Sequence, residues 1–520
     1  MIRCFGYRVA IGAGWLVLAA AILWHAAGAC AATYYVSSEG SDQHDGLSPE
    51  TPWRTIARVN TAPLMPGDTV LLRRGDCWRE QLLPTSGSEK GVVTYGAYGS
   101  GDKPLLLGSV EKNDPGDWES DGRNIWSTTG PLFLGGYLPE GATFYLDSLS
   151  FVECDPGEAL TCDVGNIIFD GEASCGVKVW NESDLTAQGE YWYDEEKHLL
   201  KLYSSRSPAS YYSDVECALR RHIIDQSGTG YVVYENLALK YGAAHGIGGG
   251  NTHHVTVRDC DLSYIGGGDQ RGGSHTVRYG NGVEFWGNAH DNLVERCRLW
   301  EIYDAALTNQ NSAPNVKQYN ITYRNNLIWN CEYSFEYWNR PANSLTHHIR
   351  FENNTCIAAG HGWGHTQRPD PSGRHLCFYT SPAQAHDVSI RNNIFFEAKR
   401  NAFYAPTWPE AAVAALDIDH NCWFQSEGDM IRLNTASYTM ARFAAYQAES
   451  GKEPNSFAAK PLLLDLPNGD FHLGQGSPCI DAGTGVGLTR DFDGTPVPQG
   501  AAPDVGAYEF QRPQPPPRVR

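Results

Sequence analysis

Between Val233 and Trp423 apolar and polar positions alternate in short bursts, as at Val255/Val257, Ile321/Tyr323, Ile349/Phe351 and Val388/Ile390. Each burst is followed by a polar corner and a second apolar pair. A period of two predicts strands, and no stripe of helical spacing runs through the stretch. The corner recurs as one phrase with variations, which align on Asn236, Cys260, Cys297, Asn326, Asn354, Asn393 and Asn421. Successive steps range from 24 residues (236 to 260) to 39 (354 to 393). A repeat of that length is the signature of a solenoid. One such unit is too small to bury its own apolar face, and it does so against the units above and below. At the aligned position a short amide is expected to tolerate a left-handed corner and to hydrogen-bond along the stack at the strand spacing of roughly 4.8 Å. Cys260 and Cys297 fit the same column as compact, nearly apolar substitutes.

Both ends of the chain carry further motifs. Near the start stand Tyr34-Tyr35-Val36-Ser37, Gly40-Ser41-Asp42, Pro52-Trp53-Arg54-Thr55-Ile56 and Pro66-Gly67-Asp68-Thr69-Val70. Near the end stand Ser477-Pro478-Cys479-Ile480-Asp481-Ala482-Gly483, Asp491-Phe492-Asp493-Gly494 and Asp504-Val505-Gly506-Ala507-Tyr508-Glu509. Together with the repeats these resemble the right-handed parallel β-helix superfamily that holds pectate lyases, polygalacturonases and related β-helix glycoside hydrolases. The resemblance implies an all-β solenoid and a polysaccharide ligand, and it bears on fold more than on reaction.

The organisation expected is a signal peptide at 1–31, a cap with the first coils at 32–110, central coils at 221–425, and closing coils with a cap at 426–510. A Pro-rich, disordered tail follows at 511–520. Residues 111–220 break the rhythm. Tyr191-Trp192-Tyr193-Asp194 and Leu199-Leu200-Lys201-Leu202-Tyr203 alternate like hairpins, so an inserted β-rich lobe is expected there. Met430–Ser450 is expected to hold a short amphipathic helix.

Composition narrows the function. Lys+Arg 40 against Asp+Glu 60 leaves a net charge of −20, which argues against a nucleic-acid partner. The apolar run from Ile11 to Trp24, behind Arg3 and Arg8, is too short for a membrane span and fits an export signal. A secreted or periplasmic monomer follows, with a lipid anchor at Cys30 as the lesser alternative. Export permits disulfides, and Cys154, Cys162, Cys175 and Cys217 are the candidates outside the repeats. Cys260 and Cys297 suit either buried thiols or a bridge. No paired C-x-x-C motif suggests a metal, and none is expected.

The candidate chemistry lies between Glu284 and His375. Taking Val283, Leu307 and Phe335 as equivalent inward positions puts Glu284, Thr308 and Glu336 on one outward face, with Asp304 at a corner between them. Trp286, Tyr337, Trp338 and Trp363 supply aromatic surface for sugar rings. Gln310, Arg340, His361, His365 and Arg368 add polar and cationic groups. Any single outward Glu is ordinarily just solvated and any single Trp just packed; the concentration of all three kinds singles out the region. Two carboxylates across a glycosidic bond can act as acid and as base or nucleophile. The favoured reading is therefore an exported hydrolase with Glu336, Asp304 and Glu284 as its acids and no required cofactor. A lyase or C5-epimerase acting on a uronate polymer would instead rely on His365 and Arg340, with calcium as a possible cofactor. A non-catalytic polysaccharide-binding or adhesin β-helix is the remaining class.

Overall fold

The alternating bursts close into three parallel sheets. The structure, a computed structural model, describes residues 31–129, 163–270, 277–379 and 384–511. The expected signal peptide, the Pro-rich tail, Cys154 and Cys162 lie essentially outside those residues. Each coil contributes one strand to each sheet. In one coil these are Ala289–Glu295 in sheet 1, Arg298–Ile302 in sheet 2 and Ala305–Asn311 in sheet 3. They pair in parallel with Lys317–Arg324, Leu327–Trp329 and Tyr333–Asn339 of the next coil. Among the described residues sheets 1 and 2 have ten strands each and sheet 3 has nine. The chain is an all-β parallel β-helix.

The apolar member of each alternation points inward. Tyr323, Phe335, Phe351, Phe395 and Trp423 form a stack of rings through the interior, with neighbouring centroids 4.4 to 6.3 Å apart. Burying each such ring stabilises the fold by roughly 2–3 kcal/mol.

The two-residue corner between sheets 1 and 2 divides its labour differently from the sequence expectation. The left-handed residue is the first of the two: Asp259 (φ 55°), Asn325 (58°), Asn353 (52°) and Asn392 (57°). The second residue turns its amide along the axis. Asn326 N–H donates to Asn354 Oδ1 (3.0 Å), Asn354 N–H to Asn393 Oδ1 (2.9 Å) and Asn393 N–H to Asn421 Oδ1 (2.9 Å). Each side-chain NH2 also donates to a strand carbonyl, that of Asn354 to Tyr323 O at 3.0 Å. Strand register places Ala238 beside Asp261, so Leu237, not Asn236, is the partner of Cys260. Asn236 is the left-handed residue of its own corner (φ 57°). Cys260 and Cys297 are buried free thiols, and Cys175 and Cys217 are free as well.

The solenoid is interrupted once. Strand Val93–Tyr98 pairs directly with Gly230–Glu235. Between them, two mostly antiparallel sheets pack face to face around Trp118, Ile167, Phe169, Tyr191, Leu200, Leu202 and Cys217. Toward the end of the chain the helix is Phe443–Ser450 alone. The residues just before it form an antiparallel pair, Ile431–Leu433 with Ala436–Tyr438, because Asn434 takes a left-handed turn (φ 50°). The segment after Gly474 does not add coils. It runs back along sheet 2, where Asn353 donates to Asp504 O and Gly506 O, and Tyr508 packs with Leu327 and Ile357.

Candidate active site

Strand alternation on sheet 3 sets two outward rows. Glu284, Thr308, Glu336 and Cys377 are in register, and so are Trp286, Gln310 and Trp338. The residues between them point into the core. Tyr337 is thus an interior ring, 1% exposed and packed on Phe378 and Trp408, and cannot reach a groove. The adjacent pair Tyr337-Trp338 can offer only one ring to the outside, and that ring is Trp338.

The outward rows form one wall of a cleft of about 230 Å³. Trp286, Gln310, Glu336, Trp338 and Arg340 line it, together with Asp304, Arg368 and Asp370 from the corners. The Trp286 and Trp338 rings lie 5.7 Å apart, leaning together over Gln310. Arg340 sits over the Trp338 ring at 5.0 Å.

Two carboxyls in the cleft have different surroundings. Glu336 is 6% exposed, and Gln310 Nε2 donates to its Oε2 at 2.6 Å. Burial, followed by the nearby charge of Asp304, pushes the Glu336 carboxyl well above the usual range. Asp304 is also raised by burial, but Arg368 opposes the shift by donating to its Oδ1 at 2.9 Å. Arg368 also donates to Tyr303 O and lies 3.3 Å from Asp370.

The loop that carries Arg368 leaves sheet 2 after Thr355–Ala359 and rejoins the coil at Arg374–Phe378 in sheet 3. It is pinned by Glu332, a residue with no role in the sequence reading. Glu332 accepts the Ser372 and Gly373 N–H groups at 2.6 and 2.8 Å, and its other oxygen meets His365 Nδ1 at 2.8 Å. His365 is therefore a loop anchor and does not line the cleft. Trp363 lies outside the cleft too: its backbone and indole N–H groups both donate to Glu301, and its ring packs on Tyr303. At Gly362 the loop passes so close to the preceding corner that a Cβ would lie 2.0 Å from Asn330 O. His361 is exposed on the far side of the corner, near Lys399 and Glu397.

Glu284 shares the row of Glu336 but lies beneath the cleft wall, 1% exposed. His245 Nε2 meets its Oε2 at 3.0 Å, and Asn281 Nδ2 donates to the same oxygen at 2.6 Å. His245 Nδ1 accepts the Asn281 backbone N–H at 2.8 Å, so the imidazole proton lies on Nε2, facing Glu284. Burial lowers the pKa of His245, keeping the ring neutral. His245 lines the cleft and Glu284 orients it. Arg278 completes the opposite wall, its guanidinium held by the carbonyls of Gly267, Gln367 and Gly165. It thereby ties the inserted sheets to the loop of Arg368. His245, Asn281 and Arg278 sit in Gly-rich, non-repeating sequence, so only Glu332 left a signal. It occupies the corner position of Asp304 one coil on, since Ala305 and Tyr333 are in register.

Fold and cleft together define a parallel β-helix protein with a carboxyl-bearing, aromatic-walled cleft on one sheet. No protein-family model matches the chain. A lacto-N-biosidase of Bifidobacterium longum subsp. longum is 38% identical over 99 residues, which is 18% of this chain and 6% of that protein's length. Among solved structures, the pectate lyase Pel9A is 12% identical, with 93% of this chain and 98% of that one covered and a TM-score of 0.47. XylC in complex with xylose is 14% identical, with 92% and 98% covered and a TM-score of 0.41. Among the described residues no helix is long and apolar enough to cross a membrane.

Proposed function

We propose that the cleft hydrolyses a glycosidic bond of an oligo- or polysaccharide, outside the cytoplasm. The observation that carries this is the divergence of two carboxyls within one aromatic-walled cleft. Burial pushes both carboxyls up, Glu336 strongly, while the Arg368 guanidinium opposes the shift at Asp304. Paired acids whose surroundings push their pKa values apart are suited to acid and nucleophile roles. Glu336 gives its proton to the leaving oxygen as ionised Asp304 bonds to the anomeric carbon and the glycosidic bond breaks; a water that loses its proton to Glu336 then displaces the sugar from Asp304. The two carboxyls arise from adjacent coils, Asp304 at the corner and Glu336 further along the next strand, and the charge of Asp304 acts on Glu336. Trp286 and Trp338 stack on the sugar, and Gln310 fixes the Glu336 carboxyl. The stretch of likeness to a lacto-N-biosidase supports a hydrolase.

A uronate-directed lyase or epimerase is the second reading. One observation favours it: among the described residues Arg340 pairs with no carboxylate, and it could meet a uronate. Calcium would fit that reading poorly, because Arg368 already places a positive charge between Asp304 and Asp370. A non-catalytic sugar-binding role is what remains if no polymer is cut. Reducing-sugar release, measured beside ultraviolet absorbance of unsaturated uronates across a glycan panel, separates all three. Release without new absorbance supports hydrolysis, absorbance supports elimination, and neither leaves binding.

A further inference from the structure

On the outer surface of sheet 1 the strands share a second irregularity. Tyr231, His254, Asp291, Asn320, His348 and Asp387 all take left-handed backbone, with φ between 52 and 59°. Each follows a residue of one register row: Gly230, His253, His290, Tyr319, His347 and His386. A left-handed residue within a strand breaks the alternation, so two consecutive side chains reach the outside. The row itself is a ladder of stacked rings. Centroids are 5.2 Å apart for His253 and His290, 4.7 Å for His290 and Tyr319, and 5.1 Å for Tyr319 and His347. Beside it runs the second column, which carries carboxylates and imidazoles. Non-glycine residues held at positive φ cost energy and are concentrated where side-chain placement matters.

At one place the two columns converge. Nitrogen and oxygen atoms of His254, His290 and Asp291 all lie within 4.8 Å of one another. His290 Nδ1 is 2.7 Å from Asp291 Oδ2, and His254 Nε2 is 3.9 Å from the same oxygen. Ligands around a tetrahedral zinc ion sit roughly 3.3 Å apart, given metal–ligand bonds near 2.0–2.1 Å. The 2.7 and 3.9 Å separations to Asp291 Oδ2 bracket that spacing. We propose that His254, His290 and Asp291 form a surface site for a divalent transition-metal ion of the zinc class, bridging two successive coils.

The neighbours of the three residues are arranged as supports for such ligands. Asn320 donates to Asp291 Oδ1 and leaves Oδ2 facing the histidines. His253 Nδ1 lies 3.2 Å from His254 Nδ1, so a proton shared there leaves His254 Nε2 as the ligand nitrogen.

A second convergence on the same columns acts as an internal control. His348 Nε2 lies 3.0 Å from Asp387, but Arg350 meets that carboxylate at 2.9 Å and has already neutralised it. In the coils above, the position of Arg350 is Thr322 and then Leu293, so no guanidinium faces Asp291 from that row. The acidic group Glu111, Asp214 and Glu216 is likewise taken, with Arg79 bound to Glu216 through two 2.6 Å contacts.

The test uses untagged, chelator-treated full-length protein titrated with zinc chloride and, separately, with calcium chloride. Expected are one equivalent of zinc at this site, a rise in the thermal midpoint with zinc, and no rise with calcium, which prefers oxygen ligands. His254→Ala and Asp291→Asn should each weaken zinc binding by tenfold or more and abolish the midpoint rise, whereas His348→Ala should leave both unchanged. Asp291→Asn keeps size and shape, so it reports even if His254→Ala folds poorly. Absence of zinc binding, binding undiminished in both variants, or equal response to calcium would overturn the proposal.

Discussion

The two kinds of corner in this β-helix are built on opposite principles. Between sheets 1 and 2 every central coil turns in two residues, one left-handed and one stacking, and each amide is satisfied by the next coil. Between sheets 2 and 3, among the described residues, the corners at the cleft differ in length, although Asp304 and Glu332 share a position. One is the tight Tyr303-Asp304, one carries Glu332, and one is the long loop with His365 and Arg368. The repeated corner holds the coils together, and the unrepeated corners hold the chemistry. Stability is therefore spread over many equivalent bonds, whereas the cleft depends on single side chains.

The comparison breaks at once if the cleft is not catalytic, so the largest effect is expected at Glu336. Glu336→Gln keeps size and the Gln310 contact but removes the proton. It should lower turnover by about 10² or more, equivalent to about 2.7 kcal/mol in the barrier, with sugar binding retained. Because the carboxyl's pKa is raised, wild-type activity should fall, as Glu336 deprotonates, at a pH above the ordinary glutamate range. Kinetics of the variant and a pH–rate profile check both. Full activity in the variant, with loss in Arg340→Ala, would move the assignment to elimination.

Two carboxyls beside the regular corners, Glu352 and Glu453, are raised by burial to about 7, and Glu453 is the one that closes the amide column. Glu453 is fully buried at the foot of the amide column, accepting from Trp423 Nε1 at 2.8 Å and Asn421 Nδ2 at 3.3 Å. Burial raises its pKa to about 7, despite hydrogen bonds from Ser456, Trp423 and Asn421. In the unfolded chain the group titrates near the ordinary value of 4.5. Its contribution to stability is therefore complete below about pH 4.5 and is lost as pH rises through about 7. The slope approaches 1.4 kcal/mol per pH unit in that window. Denaturant unfolding across the window should show the slope, and Glu453→Gln should reduce it, leaving the part that Glu352 contributes. An unchanged slope would mean that the column does not end on this carboxyl.

Within the column, Asn354→Leu should cost roughly 1–3 kcal/mol by leaving Tyr323 O and the Asn326 N–H without partners. Thermal melts measure it. An unaltered midpoint would mean that these bonds are not what ties the coils together.

The same contrast decides what could be read from sequence. The period of two fixes which residues share a face, so the rows Glu284–Thr308–Glu336 and Trp286–Gln310–Trp338 follow from it. A repeated corner announces itself by recurrence, although recurrence alone did not say which of its two residues is left-handed. A loop that occurs once has no such signal. The paths of Trp363, His361 and His365 are set by Glu301, Glu332 and the passage of Gly362 under Asn330, contacts between coils that no local pattern encodes. Tyr337 departs from its expected place for a simpler reason: aromatic character suits a groove, but strand parity sends the ring to the core.

The smallest expected effect sharpens the comparison most, because it separates holding a loop from doing chemistry. Glu332 touches no cleft surface, yet it accepts two backbone N–H groups of the loop and the His365 imidazole, and it lies 3.9 Å from Arg368. In Glu332→Gln the side-chain oxygen can still accept the backbone donors, but the charge facing His365 and Arg368 is gone. Arg368 then has one counter-charge fewer, and the loop loses its ionic pin. Turnover should fall by about tenfold, equivalent to about 1.4 kcal/mol, through misplacement of Arg368 and Asp304. The thermal midpoint should barely move, since the amide column is untouched. Limited proteolysis should cut faster between residues 360 and 373 in the variant than in the wild type. If the midpoint drops as far as in Asn354→Leu while the loop stays protected, the unrepeated corner carries stability after all, and the division of labour between the two corners fails.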